Sequence, residues 1–315
     1  MPNGWRRLTA LAALTGAALL AALLAAGCSS SLALEAAAPN GTIVAVGAES
    51  QYADVIQQVG GKYVTVSAIM SNPSTDPHTF EASASVGRLV NAARLVVQNG
   101  LGYDTFMDSI EKAVPDSGRH VIVVQKLLGL PDSTPNPHLW YDPGTMPKVA
   151  AAVADSLAAI QPGHAAYFKA NAKTFTSSLT PWINAIGTFK QQHPGTPVAT
   201  TEPVADYLLQ ALGAANKTPW AFQADVMNGT DPSAQDVAIE RSLFTQHKVK
   251  AFLYNQQVTD SLTESFIALA RANGIPVVGV YETMPEPGYR YQSWMQAEVR
   301  ALQKAVTSGV SSEHL

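Results

Sequence analysis

Residues 42–70 read Thr42-Ile43-Val44-Ala45-Val46, then Gly-Ala-Glu-Ser-Gln, then Tyr52-Ala-Asp-Val55-Ile56-Gln-Gln-Val59, and after Gly-Gly-Lys-Tyr close with Val64-Thr-Val-Ser-Ala-Ile-Met70. Two apolar runs flank a segment in which Val55, Ile56 and Val59 share one helical face. Strand, helix, strand in this order predicts a right-handed βαβ unit and a parallel sheet. The pattern continues on both sides. A helix is expected over Ala82–Ala93, with Val86, Leu89, Val90 and Ala93 at helical spacing, followed by a short strand at Leu95–Gln98. Val121–Gln125 is a continuous apolar run and predicts a strand buried on both faces. In the second half the alternation restarts. Strands are expected at Pro197–Thr201, Ala221–Val226, Val249–Tyr254 and Pro276–Val280, with helices at Val204–Leu212, Ala234–Gln246, Leu262–Ala272 and Tyr291–Val306.

The middle of the chain is helical throughout. One helix is expected over Pro147–Ile160, and Gln161-Pro162-Gly163 breaks it. A second stretch from His164 to Lys190 would span ~40 Å at 1.5 Å per residue. Pro181 lies inside it and predicts a kink or a joint between two helices. The expected fold is therefore α/β: two (βα)-type lobes with mainly parallel sheets, over 40–163 and 191–315, bridged by one long helix over 164–190. No Gly/Ser-rich linker separates the lobes, so the joint is expected to be rigid.

The N-terminus carries a different kind of information. Arg6 and Arg7 precede an uncharged Ala- and Leu-rich run from Leu8 to Ala26, which ends in Ala25-Ala26-Gly27-Cys28. A basic start, an apolar middle and small residues at a cut site are the parts of a secretory signal peptide, expected over 1–27. Cys28 is the only cysteine in 315 residues, so no intramolecular disulfide is possible. Its setting resembles the lipobox of bacterial lipoproteins, although Leu24 stands one place further from the cysteine than is usual. That resemblance implies a lipid on the Cys28 thiol, anchorage to the outer face of the cell membrane, and a short tether over 28–39. Cleavage leaves 18 basic and 24 acidic side chains. With no basic stripe, nucleic acid is not an expected partner. The remaining 288 residues suit two domains.

In open α/β sheets, ligands bind beyond the carboxyl ends of the strands. Four side chains able to bind metal fall there. His78 lies in Asp76-Pro77-His78, after the second strand, and His138 lies in Asn136-Pro137-His138, after Val121–Gln125. Glu202 follows the first strand of the second lobe, and Glu282 follows its last strand. The other histidines (His120, His164, His193, His247 and His314) sit at strand starts, helix ends or the tail. Two imidazoles and two carboxylates make a mixed nitrogen and oxygen set that suits a divalent first-row metal. The chain has no phosphate-binding GxxxxGK[ST], no HExxH and no GxSxG.

At this point the chain resembles the zinc/manganese-type metal-binding lipoproteins of bacterial ABC transporters. The resemblance rests on Asp76-Pro77-His78-Thr79-Phe80-Glu81, Asn99-Gly100-Leu101-Gly102-Tyr103 and Asn136-Pro137-His138-Leu139-Trp140-Tyr141-Asp142-Pro143. It extends to Tyr167–Ala172 and to Asp231-Pro232-Ser233. It implies one divalent ion (manganese, zinc or iron) held between the lobes by His78, His138, Glu202 and Glu282. It also implies a permease with its ATPase as partner and a monomeric protein without enzymatic activity. In the family the third ligand is a histidine or a glutamate, and the fourth is usually an aspartate. Glu282 departs from that pattern by one methylene. The long His- and acid-rich loop of many zinc-type members is missing between Val64 and Pro147. Glu202 and the missing loop pull the expected cargo toward manganese or iron. Three other readings stay open on the same residues: an extracytoplasmic metallohydrolase, a surface adhesin or interaction lipoprotein, and a binder of metal chelates. Trp140, Tyr141, Tyr254 and Tyr281 would line a chelate pocket, but core packing explains them more cheaply.

Overall fold

β1 (Ile43–Glu49), α1 (Ser50–Gly60) and β2 (Val64–Met70) form the expected βαβ unit, with Ile43 opposite Val64 in a parallel ladder. Tyr52, Val55, Ile56 and Val59 of α1 are fully buried against the sheet. Each such aliphatic side chain contributes about 1.5–3 kcal/mol on burial. The computed structural model describes residues 41–74, 80–285 and 288–315. The signal segment 1–27, Cys28, the tether 28–39 and His78 lie outside the described residues.

α2 (Ala84–Ala92), β3 (Leu95–Gln98), α3 (Thr105–Ala113) and β4 (His120–Val123) complete the first sheet, whose strand order is β2-β1-β3-β4. The run Val121–Gln125 departs from expectation. Only its first part is strand. Val124 and Gln125 open the short helix α4 (Val124–Leu128), and β4 lies at the sheet edge with Val121 40% exposed. A continuous apolar run cannot by itself tell a central strand from an edge strand leading into a helix.

α5 (Thr145–Ile160) leads to the bridge. The bridge comprises α6 (Ala165–Ser178) and α7 (Thr180–Gln192), joined through Leu179, which keeps right-handed helical angles. The joint falls where Pro181 predicts it, because proline is tolerated in the first turn of a helix, where its missing N–H is not needed. Phe168, Phe175, Trp182 and Phe189 run along the buried side of the bridge.

The second sheet repeats the topology of the first. β5 (Pro197–Thr200), α8 (Asp206–Leu212), β6 (Ala215–Asn216), α9 (Trp220–Met227), α10 (Ala234–Thr245), β7 (Ala251–Asn255), α11 (Ser261–Ala272) and β8 (Val277–Val280) give the order β6-β5-β7-β8, all parallel. Residues 221–226, expected as a strand, belong to α9. Phe222 and Val226, four apart, are the buried apolar positions of that helix, beside the buried Gln223. The strand that pairs there is the two-residue β6, too short to leave a pattern.

α12 (Tyr291–Ser308) returns from the second sheet and lies against α7 and α1. One apolar cluster runs from α1 through Trp140, Trp182, Tyr291 and Trp294 to Leu302, so the two lobes share a core. Residues 42–315 form one unit. Hydrogen bonds cross between the sheets: Tyr141 Oη to the Tyr281 carbonyl at 2.8 Å, Tyr291 Oη to the Trp140 carbonyl at 2.6 Å, and Asn136 Nδ2 to the Pro203 carbonyl at 2.8 Å.

The chain ends against β8. Ser312 pairs in parallel with Val278, and the Gly279 N–H donates to the Ser312 carbonyl at 2.9 Å. A Cβ on Gly279 would collide with the Glu313 carbonyl oxygen, so this approach requires glycine.

Candidate functional site

His138 is carried on the excursion that follows β4, and Asn136 aims it. The Asn136 Oδ1 accepts the His138 backbone N–H at 3.0 Å and lies 2.8 Å from Nδ1. Asn136 Nδ2 is committed to the Pro203 carbonyl, so the oxygen must face the imidazole. Nδ1 is therefore the protonated nitrogen, and Nε2 is the one that points into the site. The ring is fully buried and held edge-on between Tyr103 and Trp140, with centroids 5.8 and 5.4 Å away. Its Nε2 lies 3.2 Å from Glu282 Oε2.

Glu282 follows β8 and is fully buried. Both lobes hold its backbone: its N–H donates to Gln257 Oε1 at 2.6 Å, and its carbonyl accepts from Gln51 Nε2 at 3.2 Å. Its carboxylate takes the Tyr103 hydroxyl on Oε2 at 2.8 Å and Asn255 Nδ2 on Oε1 at 2.5 Å. Glu202 follows β5, is 2% exposed, and accepts from the same Asn255 Nδ2 at 3.2 Å. The structure thus brings His138 and Glu282 into direct contact and joins Glu202 to them through Asn255. Among the described residues, no three His, Cys, Asp or Glu side chains stand together as an ion-binding group, and Asn255 bridges the two acids.

Tyr103 reaches Glu282 from the first lobe because of the turn that precedes it. Gly100, Leu101 and Gly102 all have positive φ, at 82°, 56° and 79°. A Cβ at Gly100 would also strike Gln125. Leu101 adopts this region at a cost of roughly 1 kcal/mol. Burial, then the charges of Glu282 and Glu49, keep the Tyr103 phenol well above its ordinary range, so it is a donor at neutral pH. Behind it, Asp104 accepts the Asn99 and Gly100 N–H groups at 2.5 and 2.9 Å, and burial lifts it to about 6. The buried Glu49 faces it. Burial first, and then the charge of Asp104, raise Glu49 well above the ordinary carboxylate range.

The site's chemistry is that of an imidazole lone pair and two buried carboxylates converging from opposite lobes. Buried carboxylates need compensating partners. Among the described residues, the Asn255 amide and the Tyr103 phenol donate to them.

A family model, ZnuA, described as zinc-uptake complex component A, periplasmic, matches residues 46–305. The chain belongs to this family. As a ZnuA-family protein it is similar to the manganese-binding lipoprotein MntA of Bacillus subtilis, with 23% identity over 309 residues, covering 93% of this chain and 98% of that one. It is similar to the zinc-binding protein TroA of Treponema pallidum, with 23% identity over 245 residues, covering 76% and 78%. The solved structure of the periplasmic zinc-binding protein TroA superposes with a TM-score of 0.72 at 20% identity, covering 86% of this chain and all of that one. A manganese-bound periplasmic metal-binding protein from Candidatus Liberibacter asiaticus gives 0.69 at 18% identity, covering 84% and 100%. These two likenesses establish the two-lobe fold.

Sequence reasoning missed Tyr103, Asn136 and Asn255 as parts of this ZnuA-family site. Tyr103 and Asn136 stood inside the quoted motifs, beside residues that drew the attention. Asn255 ends a strand as Glu202 and Glu282 follow theirs, but an amide is not a metal ligand of choice and the strand-end test passed over it.

Proposed function

We propose that this protein is the extracytoplasmic solute-binding component of an ABC transporter. In this reading it captures one divalent transition metal ion (manganese, zinc or iron) between its lobes and delivers it to a membrane permease coupled to an ATPase. The ligands are His78, His138, Glu202 and Glu282. The observation that carries the reading is the grip of Asn136 on His138, which presents Nε2 to a buried carboxylate from the other lobe. A cation between these groups would offset the cost of burying two acids. The naming of similar proteins as manganese-binding and zinc-binding supports the same class of cargo.

The protein acts as a carrier rather than a metallohydrolase. A catalytic metal keeps an open position for substrate, whereas His138, Glu202 and Glu282 are at most 2% exposed. The lobes of this reading are 40–163 and 191–315, with 164–190 as the bridge. Their shared core favours a small closure over a wide hinge motion. Residues 1–27 are the export signal, and a lipid on Cys28 holds the monomer to the outer face of the cell membrane near its permease.

Isothermal titration of zinc, manganese and iron(II) into the full chain tests the core of this reading. One ion per chain is expected for the wild type. Absence of binding by all three metals rejects it. Cys28→Ala is expected to leave the membrane fraction and appear as soluble protein.

A further inference from the structure

Asn255 is the last residue of β7 and is fully buried. Its backbone N–H donates to Thr201 Oγ1 at 3.0 Å. Its side-chain Oδ1 accepts the Gln257 N–H, also at 3.0 Å. That second bond fixes the amide orientation, since a flipped amide would set N–H against N–H. Nδ2 must therefore face the acids. It has two hydrogens, and two carboxylates receive them: Glu282 Oε1 at 2.5 Å and Glu202 Oε1 at 3.2 Å.

One neutral, rigidly mounted group thus engages one oxygen of each acid. On Glu282 the other oxygen, Oε2, is the one that meets His138 Nε2 and the Tyr103 hydroxyl. A carboxylate chelates a metal through both oxygens only if both can approach it equally. For either acid to do so, it must turn and give up the Asn255 bond, which is costly in a buried setting. With the ligand set proposed above, two carboxylates restricted to one oxygen each and two imidazoles would supply four donors. Four nitrogen and oxygen donors in a tetrahedral set suit zinc, whereas manganese favours a more highly coordinated, oxygen-rich shell.

We propose that Asn255 is a metal-selectivity residue: by tying one oxygen of both Glu202 and Glu282, it limits the cargo ion to four donors and favours zinc over manganese. This rests on the metal-carrier reading above and on its ligand set. It also runs against the pull toward manganese that Glu202 alone exerts. Asn255 acts on the ion through the two acids, so it is a positioning residue.

The test compares zinc and manganese affinities of the full chain, by competition with a chromogenic chelator, for wild type and Asn255→Ala. The expected result is a fall of at least tenfold in the preference for zinc over manganese. A residue needed only for folding would weaken both metals alike, and an unchanged ratio overturns the proposal. Cobalt(II) gives a second readout on the wild type itself, independent of whether the variant folds. Intense visible bands of a four-coordinate ion are expected, and weak six-coordinate bands overturn the proposal. Asn255→Ser, which keeps one donated hydrogen, should fall between the two in its zinc preference. If the wild type binds neither zinc nor manganese, the carrier reading fails and this inference fails with it. If it binds both and the substitution leaves the ratio unchanged, or the wild-type cobalt bands are those of a six-coordinate ion, only this inference fails.

Discussion

The two sheets have the same strand order and are both parallel, yet they treat their outer edges in opposite ways. β4, at the edge of the first, leaves Val121 40% exposed. β8, at the edge of the second, is covered by residues 311–315: Ser312 pairs along it, Ser311 Oγ accepts the Val277 N–H, and Arg271 forms an ion pair with Glu313. The functional side chains differ in parallel. Glu282 stands directly at the end of the covered strand. His138 hangs on a loop fifteen residues beyond the exposed one, and side-chain amides aim it. A side chain mounted on a strand end inherits rigidity from its sheet. A side chain on a loop must be held by its neighbours, here Asn136 and Asn99, whose Nδ2 donates to the Pro137 carbonyl at 2.8 Å.

The sharpest way to break this comparison is to remove the loop-borne donor. His138→Ala is expected to lower metal affinity by more than about a hundredfold, beyond the 10–100-fold typical of losing a partner that merely orients a ligand. Titration of the variant beside Asn136→Ala, expected inside that range, measures how much of the loop's contribution is aim and how much is donation.

Next in size is a pH effect to which the second lobe contributes through Glu240. Burial lifts Glu240 to about 8. Below the unfolded carboxyl value of about 4.3, both states hold the proton and folding is not penalised. Between there and about 8 the unfolded chain ionises while the folded chain does not, so stability falls as pH rises. Each unit of that window is worth about 1.4 kcal/mol, which makes the whole effect a few kcal/mol. Glu240→Gln should flatten the decline in melting temperature between pH 5 and pH 8. A wild type that does not decline would contradict the assignment.

Gly279→Ala tests the covered edge. The new Cβ meets the Glu313 carbonyl, so the tail must leave β8, at an expected cost of about 1–3 kcal/mol. Hydrogen exchange should rise at the Ser312 amide, which donates to the Val277 carbonyl. The counterpart on the bare edge, Val121→Thr, is expected to stay within about 0.5 kcal/mol in a denaturant melt.

Much of this was readable along the chain. Short-range periodicity is enough to mark β1, α1 and β2, because Val55, Ile56 and Val59 must share a face for the helix to bury anything. Proline sets the joint near Leu179 for an equally local reason. His138, Glu202 and Glu282, which the structure gathers around Asn255, were singled out by a rule about strand ends that needs only the strands. The errors came where local pattern underdetermines context. Val121–Gln125 has the same composition whether central or at an edge. Residues 221–226 hold two apolar residues four apart, which suits either a helix or a twisted strand.

What the sequence determined by itself is the α/β alternation, the bridge, and which acids and imidazoles fall beyond strand ends, because each follows from residues within a turn or two of one another. The tertiary structure alone decided which nitrogen of His138 faces the site, which oxygen of each carboxylate is already engaged, and which sheet edge is covered. Those outcomes depend on contacts such as Asn136 with Pro203, Asn255 with Glu202 and Gly279 with Ser312. Their partners lie tens of residues apart, so no local pattern records them and only the packed chain brings them within hydrogen-bonding reach.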